Sequence, residues 1–178
     1  MINIMINNCK LIFLIFLIFF LFSFEIRAEE EFKFHLQPKS SPLSSFEDVY
    51  SNKLRLFNFK GKVVLLNVWA TYCAPCIREL KTLNDLSKEM GNKIAIVPVA
   101  VSGENGETLQ AFYKKHGLDY LDIYTDRQKM ISSELQIPSV PYTLLINSEG
   151  VELARIVGGA DFSSTVIKAQ LKNLLRKF

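Results

Sequence analysis

The sequence predicts an α/β fold in which helices pack on a parallel β-sheet. Apolar runs of strand length alternate with helical segments in the order β-α-β-α, which is typical of parallel sheets covered by helices. The chain has 178 residues, of which 49% are apolar and 22% charged, and it shows no repeats or low-complexity tracts. A chain of this length and composition can bury one well-packed core, so we expect one folded domain.

The first 28 residues are predicted to be a signal peptide or an N-terminal membrane anchor. A weakly positive start precedes an apolar run from Leu11 to Phe24, and Ala28 offers a small residue for cleavage. As a helix this run would span about 21 Å, less than the roughly 30 Å of a bilayer core, which favours a cleaved signal. The anchor stays open as the alternative because Ile26 is large for its place in a cleavage site.

Both interpretations place the domain outside the cytoplasm, which bears on its three cysteines. Cys9 precedes the apolar run and would be lost on cleavage, so the mature chain would keep Cys73 and Cys76. An exported domain stapled by disulfides would carry more cysteines at wider spacing. The pair therefore indicates chemistry rather than scaffolding.

The elements follow in order along the chain. Residues 29–45 are predicted as an N-terminal extension with room for a short hairpin, and residues 46–178 as the folded domain. The run 63–68 is rich in aliphatic residues and predicts a buried central strand. From Pro75 the apolar residues recur every three or four positions, which predicts a helix that Gly91 ends.

The rest of the chain continues this alternation. Further strands are predicted at 93–101, 121–124, 142–146 and 151–157, the last two being adjacent strands joined by turn residues. Helices are predicted at 107–116, at 128–135 and in an amphipathic C-terminal segment. The basic face of that last helix is expected to be solvated, with partner binding as the alternative. The net charge of +3 is spread along the chain, so nucleic-acid binding is not expected.

The cysteine pair falls at the junction between the strand at 63–68 and the following helix. Free backbone N–H groups and the helix dipole stabilise a thiolate at such a position. Cys73 is therefore predicted to attack a target disulfide, and Cys76, one turn deeper, to resolve the mixed disulfide. The expected product is an internal Cys73–Cys76 disulfide, with Pro75 stiffening the turn.

A zinc site and a structural disulfide are the competing uses of this pair. A closed zinc site needs four ligands, and His35 and His116 lack metal-site spacing. A bridge across so short a loop removes little entropy from the unfolded chain. We therefore expect no metal and no cofactor beyond the redox-active disulfide. A C-x-x-C after a strand in an α/β pattern favours thioredoxin-like redox chemistry instead.

The segment NVWATYCAPCIREL resembles the active-site segment of the thioredoxin superfamily, and more narrowly of its exported TlpA, ResA and CcmG-like branch. The similarity runs from about Phe46 onward and includes GKVVLLNVWAT and SVPYTLLINSEG. It implies a thioredoxin-like fold with a central mixed β-sheet flanked by helices. It also implies that Pro141 is a cis-proline facing the cysteines and that Val140 presents backbone groups to an extended substrate. From the residues alone, an ordinary trans proline is the alternative.

Several positions depart from classical thioredoxin and bear on the mechanism. Asn67 stands where thioredoxin carries a buried aspartate, and its amide cannot take up a proton. Glu79 matches an acidic position of the ResA-like branch and is expected to influence Cys76; an exposed glutamate near a helix N-terminus is the alternative. Tyr72 and Tyr142 replace residues more usual in the family, and they are candidates for a docking groove or for peripheral packing.

The resemblance implies a protein thiol–disulfide oxidoreductase of the periplasm, tethered to the inner membrane if the N-terminal segment is retained. Strong oxidants of this fold carry C-P-H-C, and Ala74-Pro75 has no such histidine, which favours a reductant or a moderately poised exchanger. A reductant there implies a membrane electron donor of the CcdA or DsbD type. Its implied clients are apocytochrome c or copper-site thiols in cytochrome oxidase assembly.

Two other functions stay open. A thioredoxin-like chaperone or adaptor without turnover would be expected to have lost a cysteine, and both are present. A thiol peroxidase of this fold places its cysteine after T-x-x, a spacing that Thr71-Tyr72-Cys73 does not match.

Overall fold

Within residues 31–177, which this computed structural model describes, eight strands form one mixed sheet. The strands are β1 Lys33–Ser40, β2 Phe46–Asp48, β3 Lys53–Leu54, β4 Val63–Trp69, β5 Ile94–Ala100, β6 Tyr124–Thr125, β7 Tyr142–Ile146 and β8 Val151–Val157. The α-helices are α1 Ala74–Met90, α2 Gly106–His116, α3 Met130–Glu134 and α4 Thr165–Leu175. Short 3₁₀ helices cover Leu56–Phe59 and Gly91–Lys93.

The strands lie in the order β1-β8-β7-β4-β5-β6-β2-β3. The three strands β4, β5 and β6 are parallel, and every other neighbouring pair is antiparallel. β4 lies between β5 and β7 and is buried over its whole length, as its continuous aliphatic run predicts. Its carboxyl end leads directly into the cysteine segment, so the sheet fixes where the first cysteine sits.

Alternate residues of β4 enter two different apolar layers. Leu65 and Trp69 pack into a layer with the inward faces of α1, α2 and α4. Leu66 and Val68 pack into the opposite layer, which β2, the first 3₁₀ helix and α3 complete. This alternation follows from the two-residue period of a strand, and it makes both faces of the central sheet core.

The predicted α/β fold with a mixed sheet flanked by helices is confirmed. The strands at 142–146 and 151–157 have the predicted bounds, and α1 ends at Gly91 as expected. The expected hairpin in the N-terminal extension is wrong. That segment forms the single strand β1, which pairs antiparallel with β8, and the hairpin lies further on, between β2 and β3.

The predicted signal or anchor at 1–28 lies outside the described residues. In the part of the chain that is described, no helix has both the length and the apolar character to cross a membrane. The strand β1 makes the extension part of the sheet, and Phe32 just before it is buried against Phe162 in an edge-to-face contact.

Candidate active site

The two cysteines lie at the junction between β4 and α1. Cys73 is the N-cap residue of α1, and its Sγ accepts a hydrogen bond from the backbone N–H of Cys76 at 3.3 Å. The two sulfurs form a disulfide with an S–S distance of 2.07 Å. Cys73 is 9% exposed and Cys76 is completely buried, so an incoming thiol reaches Cys73. Once reduced, a Cys73 thiolate would face the positive end of a helix of 17 residues.

A loop before β7 faces the disulfide. The peptide bond between Val140 and Pro141 is cis, and the Cys73 Sγ lies 3.6 Å from the Val140 carbonyl oxygen. The backbone N–H of Gly158 donates to the Pro141 carbonyl at 3.0 Å, which ties this loop to the end of β8. The structure thus brings the Val140 carbonyl to the sulfur predicted to be the nucleophile, with cis-Pro141 as the next residue of the chain.

The two candidate tyrosines occupy opposite environments. Tyr72 is 79% exposed directly beside Cys73, whereas Tyr142 is 3% exposed. The Tyr142 ring packs in the apolar layer with Val68, and its hydroxyl accepts a hydrogen bond from Arg155. Tyr142 therefore fits the packing alternative and not a docking groove, because the alternation of β7 turns its side chain into the core.

Glu79 is buried, so the expected alternative of an exposed glutamate is wrong. It is 2% exposed in α1, one turn beyond Cys76. Its carboxylate accepts hydrogen bonds from Asn67 Nδ2 at 2.5 Å, from Thr143 Oγ1 at 3.2 Å and from the backbone N–H of Ala160 at 2.7 Å. Strands β4 and β7 and the segment after β8 therefore fix this carboxylate within the core, one helical turn from Cys76.

Gly159 marks the point where the parts of the site meet, and sequence reasoning missed it. A Cβ at this position would lie 3.5 Å from Pro75 Cβ, 3.9 Å from Glu79 Oε2 and 3.9 Å from Pro141 Cγ. The lack of a side chain leaves room between the two prolines, above the carboxylate. The available signal was the Gly158-Gly159 pair directly after a predicted strand.

Behind the dithiol lies an aromatic cluster. Trp69 is fully buried, with its ring centroid 5.3 Å from that of Phe112 and 6.1 Å from that of Tyr113. Burial raises the pKa of Tyr113 far above its ordinary value, so its hydroxyl stays protonated. Trp69 is therefore a core residue, and it belongs to the same buried apolar cluster as the two cysteines.

The two histidines that zinc binding would need lie in other contacts. His35 is hydrogen-bonded to Glu152 at 2.6 Å, and the His116 ring lies 4.3 Å from the Phe112 ring, centroid to centroid. Partial burial, followed by Lys115 and Lys81, lowers the pKa of His116. Among residues 31–177, no three His, Cys, Asp or Glu side chains are grouped so that they could hold a metal ion.

Comparison with known proteins agrees with this geometry. Residues 34–151 match the model of the AhpC/TSA family. The thioredoxin-like protein YneN of Bacillus subtilis is 35% identical over 115 residues, 64% of this chain and 66% of YneN. The thiol-disulfide oxidoreductase ResA of Geobacillus kaustophilus is 34% identical over 63% of each chain. The chain thus spans just under two thirds of these relatives.

A solved structure extends the agreement to the fold. The thiol:disulfide interchange protein of the thioredoxin family from Chlorobium tepidum superposes with a TM-score of 0.64 at 21% identity, covering 79% of this chain and 99% of that one. The family match and this superposition agree with the observed mixed sheet flanked by helices. The chain belongs to the AhpC/TSA family and has its thioredoxin-like fold.

Proposed function

We propose that this protein is a thiol–disulfide oxidoreductase that exchanges disulfides with protein clients through Cys73 and Cys76. The observation that carries the proposal is the Cys73–Cys76 disulfide at the N-terminus of α1, with Cys73 Sγ 3.6 Å from the Val140 carbonyl. A relative named ResA is a thiol-disulfide oxidoreductase by name, which supports the same activity.

The reduction of a client would proceed in two balanced steps. The Cys73 thiolate attacks one sulfur of the client disulfide, and the other client sulfur leaves as a thiolate, giving a mixed disulfide. Cys76 then loses its proton and attacks the Cys73 sulfur, which releases the second client thiolate. The chain is left with the Cys73–Cys76 disulfide, and two electrons have passed to the client.

Docking of the client is proposed to use the surface around Cys73. Val140 supplies backbone groups beside cis-Pro141 to an extended client segment, and the exposed ring of Tyr72 flanks the same sulfur. The complete burial of Cys76 supports its role as the resolving thiol, because a client cannot reach it first.

Glu79 is proposed to assist the proton transfer at Cys76. It is the buried carboxylate nearest to Cys76 along α1, and its hydrogen bonds hold it in place. A Glu79→Gln protein should show altered thiol pKa values and slower exchange, measured by alkylation rates across pH. Unchanged thiol pKa values together with an unchanged exchange rate would remove this role. Glu107→Gln, an exposed change in the first turn of α2, is the matched control.

The direction and clients are further parts of the proposal. The absence of a histidine between the cysteines supports a reductant. The N-terminal segment supports export to the periplasm. A reductant there needs electrons, and a membrane donor of the CcdA or DsbD type would supply them. Apocytochrome c, or copper-site thiols in cytochrome oxidase assembly, would be its clients. Retention of the N-terminal segment would tether the domain to the inner membrane.

Reduction of insulin by the full chain, with dithiothreitol as electron source, tests the activity. The wild type should reduce insulin and cycle between dithiol and disulfide forms, and Cys73→Ser should lose both properties. A Cys73→Ser protein with full cellular activity would indicate an adaptor instead, and peroxide consumption without insulin reduction would indicate a peroxidase.

Cys76→Ser in native membranes should accumulate mixed disulfides whose partners identify client and donor.

A further inference from the structure

The turn that precedes Cys73 is hydrogen-bonded through Thr71 to the loop after β5, which contains Ser102 and Glu104. The backbone N–H of Thr71 donates to Ser102 Oγ at 3.2 Å, and the Thr71 hydroxyl donates to Glu104 Oε1 at 2.5 Å. Thr71 lies two residues before Cys73, and the backbone N–H of Cys73 closes this turn on the carbonyl of Ala70 at 3.1 Å. Both polar groups of Thr71 that can donate are thus bound to one neighbouring loop.

That neighbouring loop is itself fixed to the sheet and to a helix. Thr125 on β6 donates its hydroxyl to the Glu104 carbonyl at 3.0 Å. The side chain of Asn105 caps α2 by accepting the N–H of Thr108 at 2.9 Å. Glu104 therefore has a backbone anchored on two elements and a side chain that reaches across to Thr71.

The ionisation of Glu104 suits this contact. Burial alone raises the pKa of Glu104, but hydrogen bonds from Ser102 and Thr71 and from its own backbone outweigh burial, and its pKa falls below the ordinary value. The carboxylate is then acceptor-only at neutral pH, so Thr71 must be the donor. A hydrogen bond to a charged acceptor is stronger than one between neutral groups.

We infer that Glu104 is a positioning residue for client docking, acting through Thr71 on the turn that carries Tyr72 and Cys73. The inference rests on the proposed function and adds a residue outside the dithiol, the cis-proline loop and Glu79. Tyr72 follows Thr71 directly and its side chain is 79% exposed, so this surface depends on the backbone of the turn for its position. Cys73 keeps its own place as N-cap of α1, which separates docking from thiol reactivity.

The test compares Thr71→Val, Glu104→Ala and Glu104→Gln in the full chain. Two probes are used: insulin as a protein disulfide and iodoacetamide as a small reagent for reduced Cys73. Thr71→Val and Glu104→Ala should each lower kcat/KM for insulin roughly tenfold, mainly through KM, as expected for one lost charge-assisted hydrogen bond. The alkylation rate of Cys73 should stay within about twofold of wild type.

The conservative variant and the double variant separate positioning from charge and from general destabilisation. Glu104→Gln keeps an oxygen acceptor for Thr71 but loses the charge assistance, so its insulin activity should lie between those of Glu104→Ala and the wild type. Thr71→Val combined with Glu104→Ala should lose little more than either change alone, because both break the same hydrogen bond. Glu107→Ala, an exposed change on the adjoining helix α2, should behave as wild type in both assays.

Three results would overturn the inference while wild-type insulin reduction still supported the proposed function. The first is an unchanged kcat/KM for insulin in Thr71→Val and Glu104→Ala. The second is a Glu104→Gln protein with a kcat/KM for insulin as low as that of Glu104→Ala. The third is a fall in the alkylation rate of Cys73 as large as the fall in insulin reduction. If Glu104→Ala fails to fold, Thr71→Val decides the question alone. Loss of insulin reduction by the wild type would instead reject the proposed function.

Discussion

Glu79 and Glu152 are both almost completely buried, at 2% and 1% exposure, but they differ in their partners. Glu152 on β8 binds the Arg155 guanidinium at 2.7 and 2.9 Å and His35 of β1 at 2.6 Å. Glu79 accepts hydrogen bonds from an amide, a hydroxyl and a backbone N–H beside the dithiol. Two glutamates of nearly equal burial therefore make different contacts: Glu152 has an ion pair with Arg155, and Glu79 has hydrogen bonds near the dithiol.

These contacts fit the different roles proposed for the two residues, a structural one for Glu152 and one in proton transfer for Glu79. Removing the carboxylate of Glu152 would leave the partly buried Arg155 guanidinium without its ion-pair partner. Glu79 is instead held by hydrogen bonds from Asn67, Thr143 and Ala160, one helical turn from Cys76, where the proton transfer proposed above would take place. The surroundings of a buried acid, more than its depth, indicate its role.

The largest expected effect is the loss of stability in Glu152→Ala. Removing this carboxylate leaves Arg155 partly buried without its counter-ion and frees β1 from a contact to β8. We expect the free energy of unfolding to fall by about 3–5 kcal/mol, the range for breaking one side of a buried ion pair. Urea unfolding followed by circular dichroism measures it.

Glu149→Ala is the matched control, because Glu149 is exposed in the turn between β7 and β8. Its free energy of unfolding should stay within about 0.5 kcal/mol of wild type. A loss below about 1 kcal/mol in Glu152→Ala would contradict the assignment of Glu152 as a structural ion-pair partner. In the folded Glu152→Ala protein, insulin reduction should match that of the wild type.

Glu79→Gln should lower stability less than Glu152→Ala and disturb catalysis more. The amide oxygen introduced by Glu79→Gln can still accept from Asn67 or Thr143, but the new NH₂ group would face the N–H of Ala160. One unsatisfied buried donor corresponds to about 1–3 kcal/mol, measured by the same urea titration. If Glu79→Gln lowered the free energy of unfolding as much as Glu152→Ala, Glu79 would also be a mainly structural residue.

Much of the fold follows from local pattern, whereas the tertiary partners of each residue do not. The aliphatic run at β4 and the three-to-four spacing of α1 predicted both elements, because strands and helices impose their own periods. The pairing of β1 with β8 joins residues more than a hundred positions apart, such as Lys33 and Arg155. No local signal in the extension indicates such a partner, and the structure forms a strand where a hairpin was expected.

The site divides in the same way. The position of Cys73 as N-cap of α1 follows from the strand-to-helix pattern around it. The burial of Glu79 depends on Ala160, 81 residues away, and on Asn67 of β4, so spacing from Cys76 could not reveal it. For Tyr142 the sequence left a docking groove and packing open, and the structure buries its ring because strand alternation turns it inward.

At the half-buried Glu104 a smaller effect is expected, on the pKa of its carboxyl group and on the stability that depends on it. Because its pKa is lowered by hydrogen bonds, it stabilises the fold above its ordinary pKa near 4.5, and this contribution is lost as pH falls through the lowered value. Thr71→Val removes one of the donors and should raise the pKa of Glu104 toward 4.5. Carboxyl ¹³C NMR titration measures it. A pKa of Glu104 that is the same in wild type and Thr71→Val would show that this hydrogen bond does not govern its ionisation.

The smallest effect is expected at the exposed Glu89, in the last turns of α1. Lys168, first through a hydrogen bond, and Lys172 lower the pKa of Glu89, so any stabilisation exists above pH 4.5 and disappears as pH falls through the lowered value. The ion pairs are solvent-exposed and screened by salt, and a negative charge near a helix C-terminus is unfavourable. These opposing contributions should leave Glu89→Gln with the wild-type urea midpoint at physiological salt. A clear fall in that midpoint would mean that ion pairs with Lys168 and Lys172 stabilise the fold even at an exposed glutamate. Burial would then not be needed for the partners of a glutamate to decide its contribution to stability.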